Sequence, residues 1–201
     1  MKLTSGRNDF DFKDLRQAFG KFGTGVTVVT TRSPCGSRVG VTVNSFNTVS
    51  LEPPIVLWSL SLASPSLKLF QAAGHFAVNV LTLDQVELSR RFSRPTEDKF
   101  AGVEFSDGLR GVPMLAGCAA TIECAVVNEQ VVGDHVLFLG QVERYAYGKA
   151  APLLFCNGNY IRGMDLIATL MTPLTPLTPL TPLTPLTPVT PVTPMTSDVL
   201  Q

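Results

Sequence analysis

The sequence predicts a mainly β protein, a barrel of short strands with a few peripheral helices. Two observations lead there. β-Branched or apolar runs at 25–31, 38–43, 55–60, 75–81, 119–127, 136–145 and 153–156 are separated by glycine, proline and aspartate turn residues. Helical spacing is confined to a few short stretches that do not alternate regularly with the strands. That disfavours a doubly wound parallel sheet.

Each element has a local reason. Asp11 to Phe22 places Phe12, Leu15, Phe19 and Phe22 at helical spacing, so an amphipathic opening helix is expected, broken at Gly20 or Gly23. Gly25 to Thr31 reads as a strand, Ser33-Pro-Cys-Gly36 as a turn, and Arg38 to Val43 as the return strand. The apolar run Ile55 to Leu60 is expected to be a buried strand. Ser64-Pro65 offers an N-cap followed by proline at the first helical position, opening a short helix that stops at Gly74. His75 to Leu81 is again strand-like. Thr82 with Gln85 has the capping-box pattern of a helix running to about Phe92. Ala119 to Val127 and Val136 to Tyr145 predict two long strands around a Gly133-Asp134 turn, and Leu153 to Cys156 a last short one.

The chain has 201 residues, 45% hydrophobic, with 16 basic and 16 acidic side chains. That length suits one domain with a sizeable core, expected over residues 10–165. The balanced charge, with no Lys/Arg run, argues against a nucleic-acid partner. The polar start Met1-Lys-Leu-Thr-Ser-Gly-Arg lacks the apolar core of a signal peptide, and no uninterrupted apolar stretch of about 18 residues suggests a membrane span. Cys35, Cys118, Cys124 and Cys156 show no C-x-x-C pairing and have only two histidines to join them. No metal site is expected; reduced thiols in a cytoplasmic protein are.

The stretch Gly40 to Pro54 carries the most chemical information. It starts as a β-branched strand, becomes a run of hydroxyl and amide side chains (Thr42, Asn44, Ser45, Asn47, Thr48, Ser50), and ends at two prolines. A packed strand has no need of so many such groups, whereas a strand end holding a polar, planar ligand does. A Ser/Thr-rich surface loop is the plainer alternative. Other motifs are missing. Gly23-Thr-Gly25 lacks the third glycine and the following helix of a dinucleotide fingerprint, and there is no Walker lysine, H-E-x-x-H or G-x-S-x-G. His75 opens an apolar strand and suits a core or capping role.

Taken in order, the segments resemble the flavin reductase family. The matching pieces are Phe19-Gly-Lys-Phe-Gly-Thr-Gly-Val-Thr-Val-Val-Thr30, Asn44-Ser-Phe46 with Ser50-Leu-Glu-Pro-Pro54, Phe76-Ala-Val-Asn-Val-Leu81, Arg91-Phe92 with Asp98-Lys-Phe100, Gly133-Asp-His135 and Gly140-Gln-Val142. They span about residues 12 to 163. The resemblance implies the FMN-binding split barrel, a split β-barrel with Greek-key-like strands and short peripheral helices. It also implies an NAD(P)H:flavin oxidoreductase acting on FMN or FAD with NADH or NADPH, often the reductase of a two-component monooxygenase, and a homodimer. The cofactor carries that chemistry, so neither a nucleophile nor paired carboxylates are required.

The resemblance also implies sites. Thr42, Val43, Asn44 and Ser45 would lie along the flavin ring edge and ribityl chain, with Ser50 in the same stretch. Ser59, Ser61, Ala63, Ser64 and Ser66 would lie near the phosphate, which a helix start would favour independently. Arg91, beside Phe92, and Lys99 would supply positive charge, although both equally suit solvated surface. His135 would face the nicotinamide side, and Tyr160 and Arg162 would touch the dinucleotide. A non-catalytic flavin carrier of the same fold is the alternative.

The composition breaks near Thr172. From there to Thr196 the chain repeats Thr-Pro-Leu, drifting to Thr-Pro-Val and Thr-Pro-Met. Proline at every third position forbids helix and predicts polyproline II or disorder, reaching roughly 70 Å. This tail is foreign to the family pattern. It would make an interaction protein of the chain only if a partner reads the repeat.

Overall fold

A computed structural model describes residues 10–96 and 98–161 of the chain. Arg162 and the Thr-Pro-Leu repeat lie outside the described residues. All strand ladders are antiparallel.

Helix α1 (Phe12–Phe19) is capped by Asp11, whose carboxylate accepts from the Lys13 N–H at 2.8 Å. It stops at Gly20, the first of the two expected break points. Phe12, Phe19 and Phe22 are all more than half exposed, so the apolar face that the spacing predicts is not buried among the described residues. Strands β1 (Thr24–Gly25), β2 (Thr27–Arg32) and β3 (Arg38–Val43) follow, with the Ser33–Gly36 turn where the sequence puts it. Next come β4 (Asn47–Leu51) and β5 (Pro54–Ser61). β4 corrects the sequence reading: part of the hydroxyl-rich stretch is an edge strand paired only with β5.

Helix α2 (Leu67–Ala73) begins later than expected, with Ser66 rather than Ser64 at its N-cap, and ends at left-handed Gly74. The turn before it keeps a Leu67 N–H to Ser64 carbonyl bond of 3.1 Å, so the difference is a tighter first turn. β6 (His75–Val80) leads to the Thr82–Gln85 cap, where the Gln85 side chain accepts the Thr82 N–H at 3.1 Å and starts α3 (Val86–Ser93). The hairpin β7 (Phe105–Asp107) and β8 (Pro113–Leu115) was not legible in the sequence. The long strands β9 (Ala120–Val132) and β10 (His135–Tyr147) were, and run further than expected. β11 (Leu154–Cys156) is joined by an unforeseen β12 (Asn159–Ile161).

The main sheet runs β3-β2-β6-β9-β10-β5-β4, beside a β1-β11-β12 sheet and the β7-β8 pair. The Ser45 hydroxyl draws its two sides together, donating to the Ser59 carbonyl at 3.2 Å and accepting the Ser59 N–H at 3.0 Å. The result is a mainly β split barrel. Inside it Trp58 packs among Phe70, Phe76 and Phe138. A second cluster around Leu81, Phe92, Phe100 and Leu153 fills the space under α3.

The cysteines differ sharply in environment. In the β2–β3 turn, the Ser33 hydroxyl 3.0 Å away and the Ser37 hydroxyl at 3.4 Å lower the Cys35 thiol to about 7. Burial pushes Cys118 up to about 11 and Cys124 to about 12. Iodoacetamide at about pH 7.5 should therefore alkylate Cys35 first, and Cys124 only after denaturation. Peptide mass mapping checks this, and early labelling of Cys124 in the native protein would contradict it.

Candidate functional site

β3 delivers Thr42, Val43 and Asn44 to the mouth of a cleft of about 330 Å³, where Val26, Ser89, Ser93, Phe155 and Tyr160 complete the walls. The Thr42 hydroxyl donates to the Ser89 carbonyl at 2.7 Å, and the Ser89 hydroxyl shares a 2.9 Å hydrogen bond with the Tyr160 hydroxyl. Ser89 is fully buried and couples the strand to the β11–β12 hairpin through α3. The Tyr160 ring meets Phe155 edge-on at 5.4 Å and stands 5.8 Å from the Arg90 guanidinium. Apolar walls with a few converging hydroxyl and amide groups suit a planar polar ligand.

A second group lies where β5 and β10 end. His135 is opposite Ser61 in the ladder, and the Leu62 N–H donates to the Asp134 carbonyl at 2.9 Å. The serine loop is therefore tied to the His135 turn. Within it, Ser61 Oγ accepts the Ala63 N–H and Ser64 Oγ accepts the Ser66 N–H, both at 3.3 Å. His135 Nδ1 lies 2.7 Å from Asp134 Oδ1, and that hydrogen bond holds the Asp134 carboxyl below its ordinary value. With the carboxylate ionised, Nδ1 carries the proton and donates it, leaving Nε2 for another partner. The Ser45–Ser59 seam joins this group to the cleft.

The structure thus gathers many of the expected residues along one rim and sets others apart. Thr42, Val43, Asn44 and Tyr160 line the cleft, while Ser59, Ser61, Ala63, Ser64, Ser66 and His135 surround the adjoining loop. Ser45 spends its hydroxyl on the seam. Ser50 sits opposite Ile55 at the other end of β5, about 20 Å along the strand from Ser61. Phe92 is 1% exposed and belongs to the core. Lys99 donates to the carbonyls of Gly40 at 3.1 Å and Phe92 at 2.8 Å, so it ties α3 to β3 from behind the cleft. Burial lowers the Lys99 pKa from its ordinary value. Arg91 donates to the Ala101 carbonyl.

Sequence reasoning missed Ser89, Val26, Phe155 and the orienting role of Asp134. Ser89 had a signal: with Val86 and Phe92 it forms the buried face of α3, where a small hydroxyl is out of place unless it has a partner. Among the described residues no group of three or more His, Cys, Asp or Glu side chains is arranged to hold a metal ion, and no helix is long and apolar enough to cross a membrane.

Residues 19–163 match the family described as flavin reductase like domain, and the chain belongs to that family. It is 41% identical over 151 residues to a probable flavin reductase of Rhizobium meliloti, which covers 75% of this chain but 49% of the relative. It is 39% identical over 153 residues to the reductase subunit of a flavin-dependent monooxygenase of Mycobacterium tuberculosis, covering 75% of this chain and 81% of that one. Among solved structures, the NADH:FAD oxidoreductase of Streptomyces globisporus in complex with NAD and FAD fragments superposes with a TM-score of 0.72. That chain is 37% identical, with 76% of this chain and 92% of the other covered. The chain thus spans about half the length of one curated relative and most of the others named.

Proposed function

We propose that the chain is an NAD(P)H-dependent flavin reductase that passes hydride to FMN or FAD and supplies reduced flavin to a partner monooxygenase. The cleft carries this reading: Thr42, Asn44, Ser89 and Tyr160 converge between the apolar side chains of Val26, Val43 and Phe155. A flavin ring fits such walls, and when bound it supplies the hydride-accepting chemistry. The residues have binding and positioning work. Thr42 keeps oxygen lone pairs for a ring N–H, since its own proton goes to Ser89. Asn44 offers both a donor and an acceptor. The Ser61–Ser66 turn offers hydroxyls to a phosphate. His135, whose Nδ1 is held by Asp134, keeps Nε2 available for the nicotinamide.

In this reading residues 10–165 are the catalytic domain, two copies form a homodimer, and the protein works in the cytoplasm, where its free thiols remain reduced. The repeat tail is a separate segment.

Steady-state assays with NADH or NADPH against FMN or FAD test the proposal. Oxidation that depends on added flavin is expected. A yellow protein that oxidises neither nicotinamide would instead be a flavin carrier. His135→Ala should lower kcat/KM about tenfold, or about 1.4 kcal/mol of transition-state stabilisation. An unchanged kcat/KM would remove His135 from the site.

A further inference from the structure

The Thr42 cleft lies between two sheet edges. One wall comes from β3, the outermost strand of the main sheet. The facing residues include Tyr160 of β12, the outermost strand of the β1-β11-β12 sheet. Among the described residues β3 and β12 share no ladder, so strand pairing does not set the distance between the walls. Phe155 and Tyr160 stand opposite each other in the β11–β12 register and line the cleft as a pair of rings. The turn of that hairpin is tied to the opening segment, where the Asn157 N–H donates to the Gly20 carbonyl at 2.7 Å.

Ser89 is bonded to both edges. Its carbonyl accepts the Thr42 hydroxyl at 2.7 Å, and its hydroxyl shares the 2.9 Å bond with the Tyr160 hydroxyl. A serine inside a helix commonly turns its hydroxyl back to the carbonyl one turn earlier. Ser89 sends its hydroxyl off the helix to Tyr160, although it is fully buried on a face shared with Val86 and Phe92. Alanine would suit both that apolar face and the helix better. The hydroxyl therefore serves Tyr160 and not α3. A bond at the phenol tip restrains the whole ring, because the tip moves furthest when the side chain turns.

We infer that Ser89 is a positioning residue that sets the width of the flavin cleft, holding Tyr160 on one wall through its hydroxyl and Thr42 on the other through its carbonyl. The inference rests on the flavin reductase reading and deepens it. Loss of the hydroxyl frees Tyr160 and leaves the Thr42 bond in place, since that bond uses the Ser89 backbone. A looser wall weakens the grip on the flavin ring, while the hydride step on a bound flavin proceeds as before.

Titration of the full chain with FMN and with FAD, followed by quenching of flavin fluorescence, reads binding without turnover. Ser89→Ala and Tyr160→Phe cut the same bond from its two ends. Each should raise the Kd about fivefold, and the double variant should be no weaker than either alone. Tyr160→Phe keeps the ring and lies on an edge strand, so it carries the test if Ser89→Ala folds poorly. In steady-state assays the KM for flavin should rise by a similar factor with kcat little changed. Effects that multiply in the double variant, or a lower Tm with an unchanged Kd, would overturn the inference and leave Ser89 a packing residue. Flavin binding that shifts as expected, without oxidation of NADH or NADPH, would keep the role of Ser89 and reject the reductase reading. Failure of the parent chain to bind either flavin would overturn both.

Discussion

Gly40→Ala is expected to destabilise the fold by about 1–3 kcal/mol and to raise the KM for flavin in the same protein. A Cβ on Gly40 would lie 2.4 Å from Phe92 Cε1 and 2.6 Å from Cδ1, closer than any real contact. Phe92 has nowhere to retreat, since it is buried against Phe100 with ring centroids 5.0 Å apart. Lys99 holds the Gly40 and Phe92 carbonyls together from the side. The strain must therefore lift α3 away from β3. Ser89 rides on α3, so its bonds to Thr42 and Tyr160 loosen and the cleft widens. A Tm about 2–10 °C lower would match this cost for a domain of this size. Adding Phe92→Leu should recover part of the loss, because the smaller side chain leaves room for the methyl group. The two substitutions would then be non-additive. Additive effects, or a variant as stable as the parent, would show that Gly40 and Phe92 do not form this contact.

The strut shows what the sequence could and could not convey. Phe92 and Lys99 were legible as important, but their direction was not. Sequence records that a lysine is present, not whether its ammonium turns outward to a phosphate or inward to two carbonyls. The half-buried Lys99 turns inward, and its pKa falls with desolvation. Ser50 was drawn into the site by its hydroxyl neighbours, yet it lies at the turn end of the β4–β5 hairpin. β4 escaped notice for a related reason. As an edge strand with one ladder and largely exposed side chains, it has no need of alternating apolar residues.

The barrel itself was more readable, because its inner strands must alternate or run apolar to be buried. β2, β3, β5, β6, β9 and β10 all appeared in the sequence for that reason, although their ends did not. β9 and β10 extend beyond the expected limits into exposed segments, Gln130 to Val132 and Ala146 to Tyr147, which pairing sustains without burial. The β7–β8 hairpin depends on a distant residue. The buried Glu123 carboxylate accepts the Leu109 N–H at 2.5 Å and pairs with Arg144. No local pattern near Gly108 records that partner.

Trp58→Ala should cost more than any other substitution considered, about 3–5 kcal/mol. Trp58 is fully buried, stacked on Phe138 at 4.6 Å and 11°, with Phe70 and Phe76 edge-on at 5.0 and 5.7 Å. Removing it leaves a cavity lined by rings that are already in contact with the barrel wall. Its neighbour Ser59 closes the seam with Ser45, so collapse around the cavity should also disturb the rim. Trp58→Phe separates packing from polarity. The indole N–H is buried and finds no acceptor among the described residues, and such an orphan costs about 1–3 kcal/mol. Phenylalanine removes that donor and keeps a ring to stack on Phe138, so lost volume and gained polarity relief oppose each other. The Phe variant should therefore lie close to wild type while the Ala variant lies far below it. Urea unfolding followed by circular dichroism measures both, since Trp58 is the only tryptophan and its fluorescence is lost in each variant. Midpoints that fall with unchanged slope would report stability alone. Equal losses in the two variants would mean that the ring stack contributes little and that the barrel repacks around residue 58.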